Sequence, residues 1–269
     1  MTEKHIYDIK ELDCAYSDAR SHIVLHIEQL HIEKGKIVFF VGPSGVGKST
    51  ILETLGLMNN TINHVERFDY EGQDIRDVWS WDDKRLSAFR NSEFSFIFQE
   101  NNLMPNFTAF ENVMVTAMLQ GEDTDGLRQR THHVLEALGL PHSEDRSIAK
   151  FSGGQRQRLA FVRAILPKFN VLFGDEPTGN LDPATAQDLV ELMTRTIHER
   201  RATAIIVSHD MRLATRYADV IVAIEKEKMG MGIINEDSCY HKIGNEWCHN
   251  GQTFSNDTLQ LLLTEQLSQ

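Results

Sequence analysis

Cysteine is scarce: Cys14, Cys239 and Cys248 are too few and too scattered in 269 residues for a disulfide framework. Long apolar runs are missing too. Stretches such as Ile37 to Val41 and Ala204 to Val207 fall far short of the roughly 20 residues a membrane-spanning helix needs. Met1 to Lys10 carries charges and no apolar block, so it does not read as a signal peptide. A cytoplasmic protein is expected, and any work at a membrane requires another chain to supply the span. Positive charge is also in deficit. The 27 Lys and Arg stand against 39 Asp and Glu, a net charge of −12 at pH 7. That balance argues against broad nucleic-acid binding, which needs a basic footprint. It leaves room for a small anion held at one local positive site.

What is present is globular, since 41% hydrophobic residues is far more than a disordered acidic chain carries. Ile23 to Ile32 partly alternates and reads as a strand. Ile37 to Val41 is apolar on both faces and reads as a buried one. A glycine-rich turn and helical spacing from Ser49 through Leu57 follow. Residues Asn59 to Arg90 are polar and interrupted, and Phe94 to Phe98 resumes strand character. Thr108-Ala-Phe-Glu111 is a capping-box pattern, and Phe110, Val113, Met114, Ala117 and Met118 then fall on one helical face. A second helix, Leu127 to Leu138, is stopped by Gly139 and Pro141. After Lys150 a helix near Gln155 to Leu166 leads into the strand Val171 to Phe173. Asp182-Pro183 reads as N-cap and first turn of another helix. Ala204 to Val207 and Val220 to Ile224 are further buried strands. Parallel strands with intervening helices imply a three-layer α/β core.

Gly42-Pro-Ser44-Gly45-Val46-Gly47-Lys48-Ser49 fits G-x-x-x-x-G-K-[ST], with Thr50 next. Its glycines let successive N–H groups turn toward phosphate oxygens. Lys48 reaches the β- and γ-phosphates, Ser49 ligates Mg²⁺, and the following helix adds its positive end. Val171-Leu-Phe-Gly-Asp175-Glu176 is an apolar strand ending in two carboxylates. Asp175 is expected to hold Mg²⁺, and Glu176 to polarise the attacking water. Ser152-Gly153-Gly154-Gln155 precedes a helix and forms a second anion site.

The order of phosphate loop, Gln99, Ser152 to Gln155, Asp175-Glu176 and His209 resembles the ATP-binding cassette (ABC) ATPases over roughly residues 10 to 225. The resemblance implies a three-layer phosphate-loop core with an antiparallel β subdomain and an inserted helical subdomain at about 104–150. ATP and Mg²⁺ are then the expected cofactors. The resemblance places Tyr16 on adenine, Gln99 on Mg²⁺ and water, His209 on the γ-phosphate, and Asp182 in the loop that links subunits. It also implies a head-to-tail dimer, in which Ser152 to Gln155 of one copy covers the phosphate loop of the other. Separate transmembrane permease subunits complete the assembly, and no nucleic acid is expected. The segments Phe96 to Val113 and Asp175 to Asp182 resemble the lipoprotein-releasing and macrolide-exporter branch, which drives membrane subunits in export, extraction or mechanotransmission.

The alternatives are a soluble ABC protein acting on nucleic acid or ribosomes, and a small-molecule kinase. Such soluble proteins carry coiled coils or tandem cassettes, whereas this chain has one phosphate loop and no sustained heptads. A kinase would not need Ser152 to Gln155. Phe151 stands where the family pattern has leucine, a size-tolerant apolar position, and Gly174 stands where it has a bulkier residue, which weakens the strand locally but spares the carboxylates. Residues 1–228 are expected to form the ATPase domain. Residues 229–269, beyond the charge run Glu225 to Lys228, read as a solvated or regulatory extension ending in a helix at Leu259 to Leu263. Cys239, His241, Cys248 and His249 offer four potential zinc ligands there, but adjacent Cys248 and His249 would strain one tetrahedral site.

Overall fold

The computed structural model describes residues 4–16, 22–121, 123–143, 145–179, 181–227 and 230–266. The chain opens with strands β1 (His5–Cys14), β2 (Leu25–Glu33) and β3 (Ile37–Val41), then helix α1 (Lys48–Leu55). Next come β4 (Ile62–Tyr70), β5 (Gln73–Asp74), α2 (Asp83–Glu93) and β6 (Phe94–Ile97). Helices α3 (Ala109–Leu119), α4 (Thr124–Ala137) and α5 (Gly153–Ile165) precede β7 (Val171–Asp175). Then follow α6 (Pro183–Arg200), β8 (Thr203–Val207), α7 (Met211–Tyr217) and β9 (Val220–Ala223). Strands β10 (Glu225–Lys226), β11 (Gly232–Ile234), β12 (Cys239–Ile243), β13 (Glu246–His249) and β14 (Gln252–Phe254) lead to α8 (Asn256–Gln266).

Among the described residues the strands form two sheets. The central sheet runs β14-β13-β12-β9-β3-β8-β7-β6, and β9, β3, β8, β7 and β6 are parallel. Its apolar runs are apolar on both faces because both faces are covered. On β3, Ile37, Phe39 and Val41 join the core beneath α5 and α6, while Val38 and Phe40 join the core beneath α1. On β8, Ala204 and Ile206 divide from Ile205 and Val207 in the same way. This places the C-terminal ends of the parallel strands, and the loops after them, along one edge, where α/β sheets bind ligands.

The second sheet runs β10-β11-β2-β1-β4-β5. Neither β1 nor β4 stands out in the sequence. Asn59 to Arg90 reads as polar and interrupted, yet it holds β4, β5 and most of α2. Strand β1 buries Ile6, Tyr7, Ile9, Leu12 and Cys14 against α1, and the Tyr7 hydroxyl donates to the Leu55 carbonyl at 2.7 Å.

The helical block forms as its caps predict. Thr108 accepts from the Glu111 N–H, and the Glu111 carboxylate accepts from the Thr108 N–H. Gly139 takes φ +68° directly after α4, and a glycine adopts that conformation without the steric cost other residues meet.

The solvated extension expected at the C-terminus is not what forms. Strands β12–β14 continue the central sheet beyond β9 as an antiparallel meander. Trp247 is fully buried, and its indole N–H donates to Asn256 at 2.9 Å. Leu259 and Leu263 seat α8 in the same core. A Trp side chain buries about 150–250 Å², roughly 4–6 kcal/mol of gross hydrophobic burial as an upper bound. The pleat also separates the four candidate zinc ligands. His241 is paired with Cys248, so Cys239, His241 and Cys248 share one face. His249 stacks on Tyr240 on the other face.

Candidate functional site

The phosphate loop lies between the buried tip of β3 and the first turn of α1. Gly45 and Gly47 adopt φ +76° and +98°, the left-handed region open to glycine. A Cβ on Gly47 would also meet Leu25 Cβ at 3.1 Å. Gly42 is hemmed in differently, because its Cβ would stand 2.9 Å from Val46 Cγ1 and 3.0 Å from the Ile224 carbonyl. Lys48 is nearly buried, and its Nζ donates to the carbonyls of Gly42 and Pro43 at 2.9 and 2.7 Å. Burial lowers its pKa, while Glu176 and Asp175 pull it back up.

Asp175 ends β7, which pairs with β8 through Val207. Burial raises its carboxyl pKa, and a hydrogen bond with Ser49 opposes that shift. A Cβ at Gly174 would stand 2.7 Å from Ile206 Cδ1, so a larger residue there requires that side chain to shift. Glu176 is held at φ +45°, a strained conformation for a side-chain-bearing residue. Its N–H donates to the Val207 carbonyl at 3.0 Å. Burial raises the Glu176 pKa, opposed by His209 and its backbone N–H. His209 follows β8, with Nε2 at 3.4 Å from Glu176 Oε1.

These residues meet in one cavity of about 570 Å³. Ser44, Gly45, Gly47, Lys48, Ser49, Thr50, Gln99, Asp175, Glu176 and His209 all line it. The motif residues Gly42 and Ser44 also line an adjoining cavity of about 800 Å³, shared with Glu176, His209 and Leu181. Val46 is buried beneath the loop.

Tyr16 sits outside the first cavity. Its hydroxyl lies 3.2 Å from Thr50 Oγ1 and donates to Glu53 at 3.2 Å, which fixes the ring beside α1. Ser152, Gly153, Gly154 and Gln155 do not line either cavity. Ser152 and Gln155 instead form a reciprocal capping box at the start of α5. The Gln157 side chain, buried one turn on, donates to the Pro177 carbonyl at 3.0 Å and ties α5 to the loop after Glu176. Asp182 caps α6 by accepting from the Thr185 N–H at 3.1 Å, and that bonding lowers its pKa. Asn180 lies outside the described residues.

Two residues at this edge give no sign in the sequence. Gln260 and Thr264 of α8 line the larger cavity. They stand four apart, on one helical face, yet only the apolar run between them is legible. Val24, just before β2, closes the smaller cavity.

Known proteins resemble this chain over most of its length. The profile of the ABC transporter family matches residues 25–179. The lipoprotein-releasing system ATP-binding protein LolD of Myxococcus xanthus is 38% identical over 71% of this chain and 83% of its own. The protein of that name from Bdellovibrio bacteriovorus is 39% identical over 73% and 87%. Among solved structures, CbiO1 of Clostridium perfringens, part of the ABC transporter complex CbiONQ, aligns with TM-score 0.71 and 26% identity over 86% of this chain and 88% of its own. The ATP-binding cassette MJ0796, a dimer in a post-hydrolysis state bound to ADP and phosphate, aligns with TM-score 0.69 and 26% identity over 81% and 93%. The fold, the phosphate loop and these likenesses together place the chain in the ABC transporter family, as an ATP-binding cassette subunit.

Proposed function

We infer that this chain hydrolyses ATP between two copies of itself and passes the resulting movement to separate membrane subunits that extract or export a lipid-linked cargo. The convergence of Lys48, Glu176 and His209 in one cavity supports the chemistry most directly. The cargo class rests on the lipoprotein-releasing relatives.

The site residues divide the work. The loop from Gly42 to Thr50 turns its N–H groups toward the phosphates, and Lys48 neutralises the β- and γ-oxygens. Glu176 accepts the proton of the attacking water at its carboxylate as the oxygen approaches the γ-phosphorus. His209 donates to a γ-phosphate oxygen and holds Glu176 in place. Tyr16 lies beside α1, where it can stack on adenine. Ser49, Asp175 and Gln99 are oxygen donors of the kind Mg²⁺ takes, and the hydrogen bond between Ser49 and Asp175 brings two of them together. Mg²⁺ bound there would neutralise charge on the β- and γ-phosphates.

Ser152 to Gln155 caps the start of α5 and does not line the cavity of the chain's own phosphate loop. A second copy, turned head to tail, supplies the anion that this helix end suits. The dimeric state of the cassette MJ0796 supports that pairing, and Asp182 at the start of α6 lies at the same edge. Membrane subunits would meet the chain beside Gln99, at a groove of about 510 Å³ lined by Phe96, Phe98 and Met104. Among the described residues no helix is long and apolar enough to cross a membrane. The chain would then sit on the cytoplasmic face through its partners. Residues 1–228 carry this function, and 229–269 brace it.

Steady-state hydrolysis with and without co-expressed membrane subunits tests the reading. Hydrolysis that depends on Lys48 and is stimulated by the membrane subunits supports it. Phosphoryl transfer to an acceptor other than water would contradict it.

A further inference from the structure

A cluster of two histidines and an aspartate stands on the antiparallel sheet, outside the nucleotide site. Asp8 of β1 lies directly across from His31 of β2 in the strand register. By simple alternation His5 would share the opposite face, with Tyr7 and Ile9. A β-bulge between His5 and Tyr7 resets the register, and bulges re-aim side chains in this way. His5 therefore stacks on His31, with ring centroids 5.0 Å apart.

The result is three potential ligand atoms, one each from His5, Asp8 and His31, all within 4.8 Å of one another. Among the described residues this is the one such group of three. Its carboxylate is only half used. Asp8 Oδ2 accepts from Arg67 at 3.3 Å. Asp8 Oδ1 is sealed from solvent and accepts no hydrogen bond, although His31 Nδ1 stands 3.2 Å away. A buried carboxylate oxygen left without a donor is costly unless something positive meets it.

We propose that His5, Asp8 and His31 form a binding site for a borderline first-row divalent cation, of which Zn²⁺ is the representative. Donors about 2.0–2.1 Å from a tetrahedral ion stand roughly 3.3 Å apart, and the His31–Asp8 pair already has that spacing. Two imidazoles and one carboxylate suit Zn²⁺, Ni²⁺ or Cu²⁺ rather than Mg²⁺, which prefers oxygen. The outer partner is in place as well. The Gln29 side-chain amide lies 2.6 Å from His31 Nε2. With its carbonyl oxygen turned to that position it accepts the Nε2–H and leaves Nδ1 free for the metal, the outer contact metal-bound histidines use. The surroundings are negative. Asp69 of β4 pairs with Asp8 of β1, and Asp74 of β5 pairs with Asp69 in turn. Arg67 and Arg76 answer part of that charge, but Arg76 is engaged by Asp74 through both of its carboxylate oxygens. A bound ion would pin the first residue of β1 to β2.

Calorimetric titration of the full-length, nucleotide-free protein with Zn²⁺, paired with Co²⁺ absorption spectroscopy, tests the site. The wild type should bind one equivalent, and the Co²⁺ spectrum should lack a thiolate charge-transfer band. His5→Ala and His31→Ala should each weaken binding at least about tenfold, and Gln29→Ala by about tenfold. Asp8→Asn, which keeps shape, separates ligand loss from misfolding. Circular dichroism and ATP hydrolysis of these variants should match the wild type. Binding should survive Cys239→Ser combined with Cys248→Ser. No stoichiometric binding, binding unchanged in both histidine variants, or binding lost in the cysteine variant would each overturn the proposal.

Discussion

His209 stands against both carboxylate oxygens of Glu176 and hydrogen-bonds one of them. Its Nε2 stands 3.4 Å from Oε1, and its backbone N–H donates to Oε2 at 3.4 Å. Oε1 is otherwise sealed and accepts no aligned hydrogen bond. One residue of the β8–α7 turn therefore positions the carboxylate that ends the β7 strand.

If Glu176 takes the water's proton, Glu176→Gln removes the base and keeps the shape. Hydrolysis should fall by about 10² to 10⁴-fold, the range for a general base, while ATP binding stays within a few fold. Single-turnover assays alongside nucleotide binding check this. Hydrolysis left intact would remove Glu176 from the chemistry.

The raised Glu176 pKa makes two further predictions from one sign. The acid limb of kcat/KM should lie above the ordinary carboxylate range, because the base must be ionised. For stability, a carboxyl whose pKa is higher in the folded than in the unfolded state binds more protons when folded between the two values. Stability then falls as pH rises through that window, and above it the full cost remains. Glu176→Gln should therefore raise Tm at pH 7, and the gain should shrink as pH falls through that window and vanish below the unfolded value. A calorimetric Tm series over pH for both proteins measures it.

Gly47 combines a left-handed backbone with a Cβ position 3.1 Å from Leu25 Cβ. Gly47→Ala should cost about 1–3 kcal/mol and weaken nucleotide binding by distorting the N–H groups at the start of α1. Urea unfolding and nucleotide titration read the two effects separately.

The loop of the candidate nucleotide site was largely legible in the sequence because its geometry is local. A loop between a buried strand and a helix needs glycines at fixed steps, and Gly42, Gly45 and Gly47 sit at them. Thr108 and Glu111 announced their helix for the same reason. Strand β1 was not legible. Its buried residues alternate with Asp8, Lys10 and Asp13, and the bulge after His5 breaks the period. Strand β4 is half exposed, so Ile62 to Tyr70 looks like polar loop until paired. Strands β12 to β14 are only three to five residues long, and they join the sheet through β9. Neither the strained φ of Glu176 nor the approach of α8 to the larger cavity leaves a signal in spacing.

Trp247 tests that last packing. If β12–β14 and α8 are one cooperative unit with the central sheet, Trp247→Ala should cost about 3–5 kcal/mol. Urea unfolding followed by circular dichroism should still show one transition. Two separate transitions in the wild type would mean that residues 229–269 fold apart from the cassette.

Shared sites are the centre of this account, and a mixing experiment reaches them directly. Lys48→Ala disables a copy's own phosphate loop, and Ser152→Arg disables the face it offers its partner. Each variant alone should be inactive. Mixed in equal amounts, half of the dimers are hybrids with one intact site of two, so activity should return to about a quarter of wild type if copies exchange freely and sites act independently. Recovery on mixing is the predicted result. Once hybrid dimers have been demonstrated, activity no greater than that of the separate variants would contradict the head-to-tail arrangement.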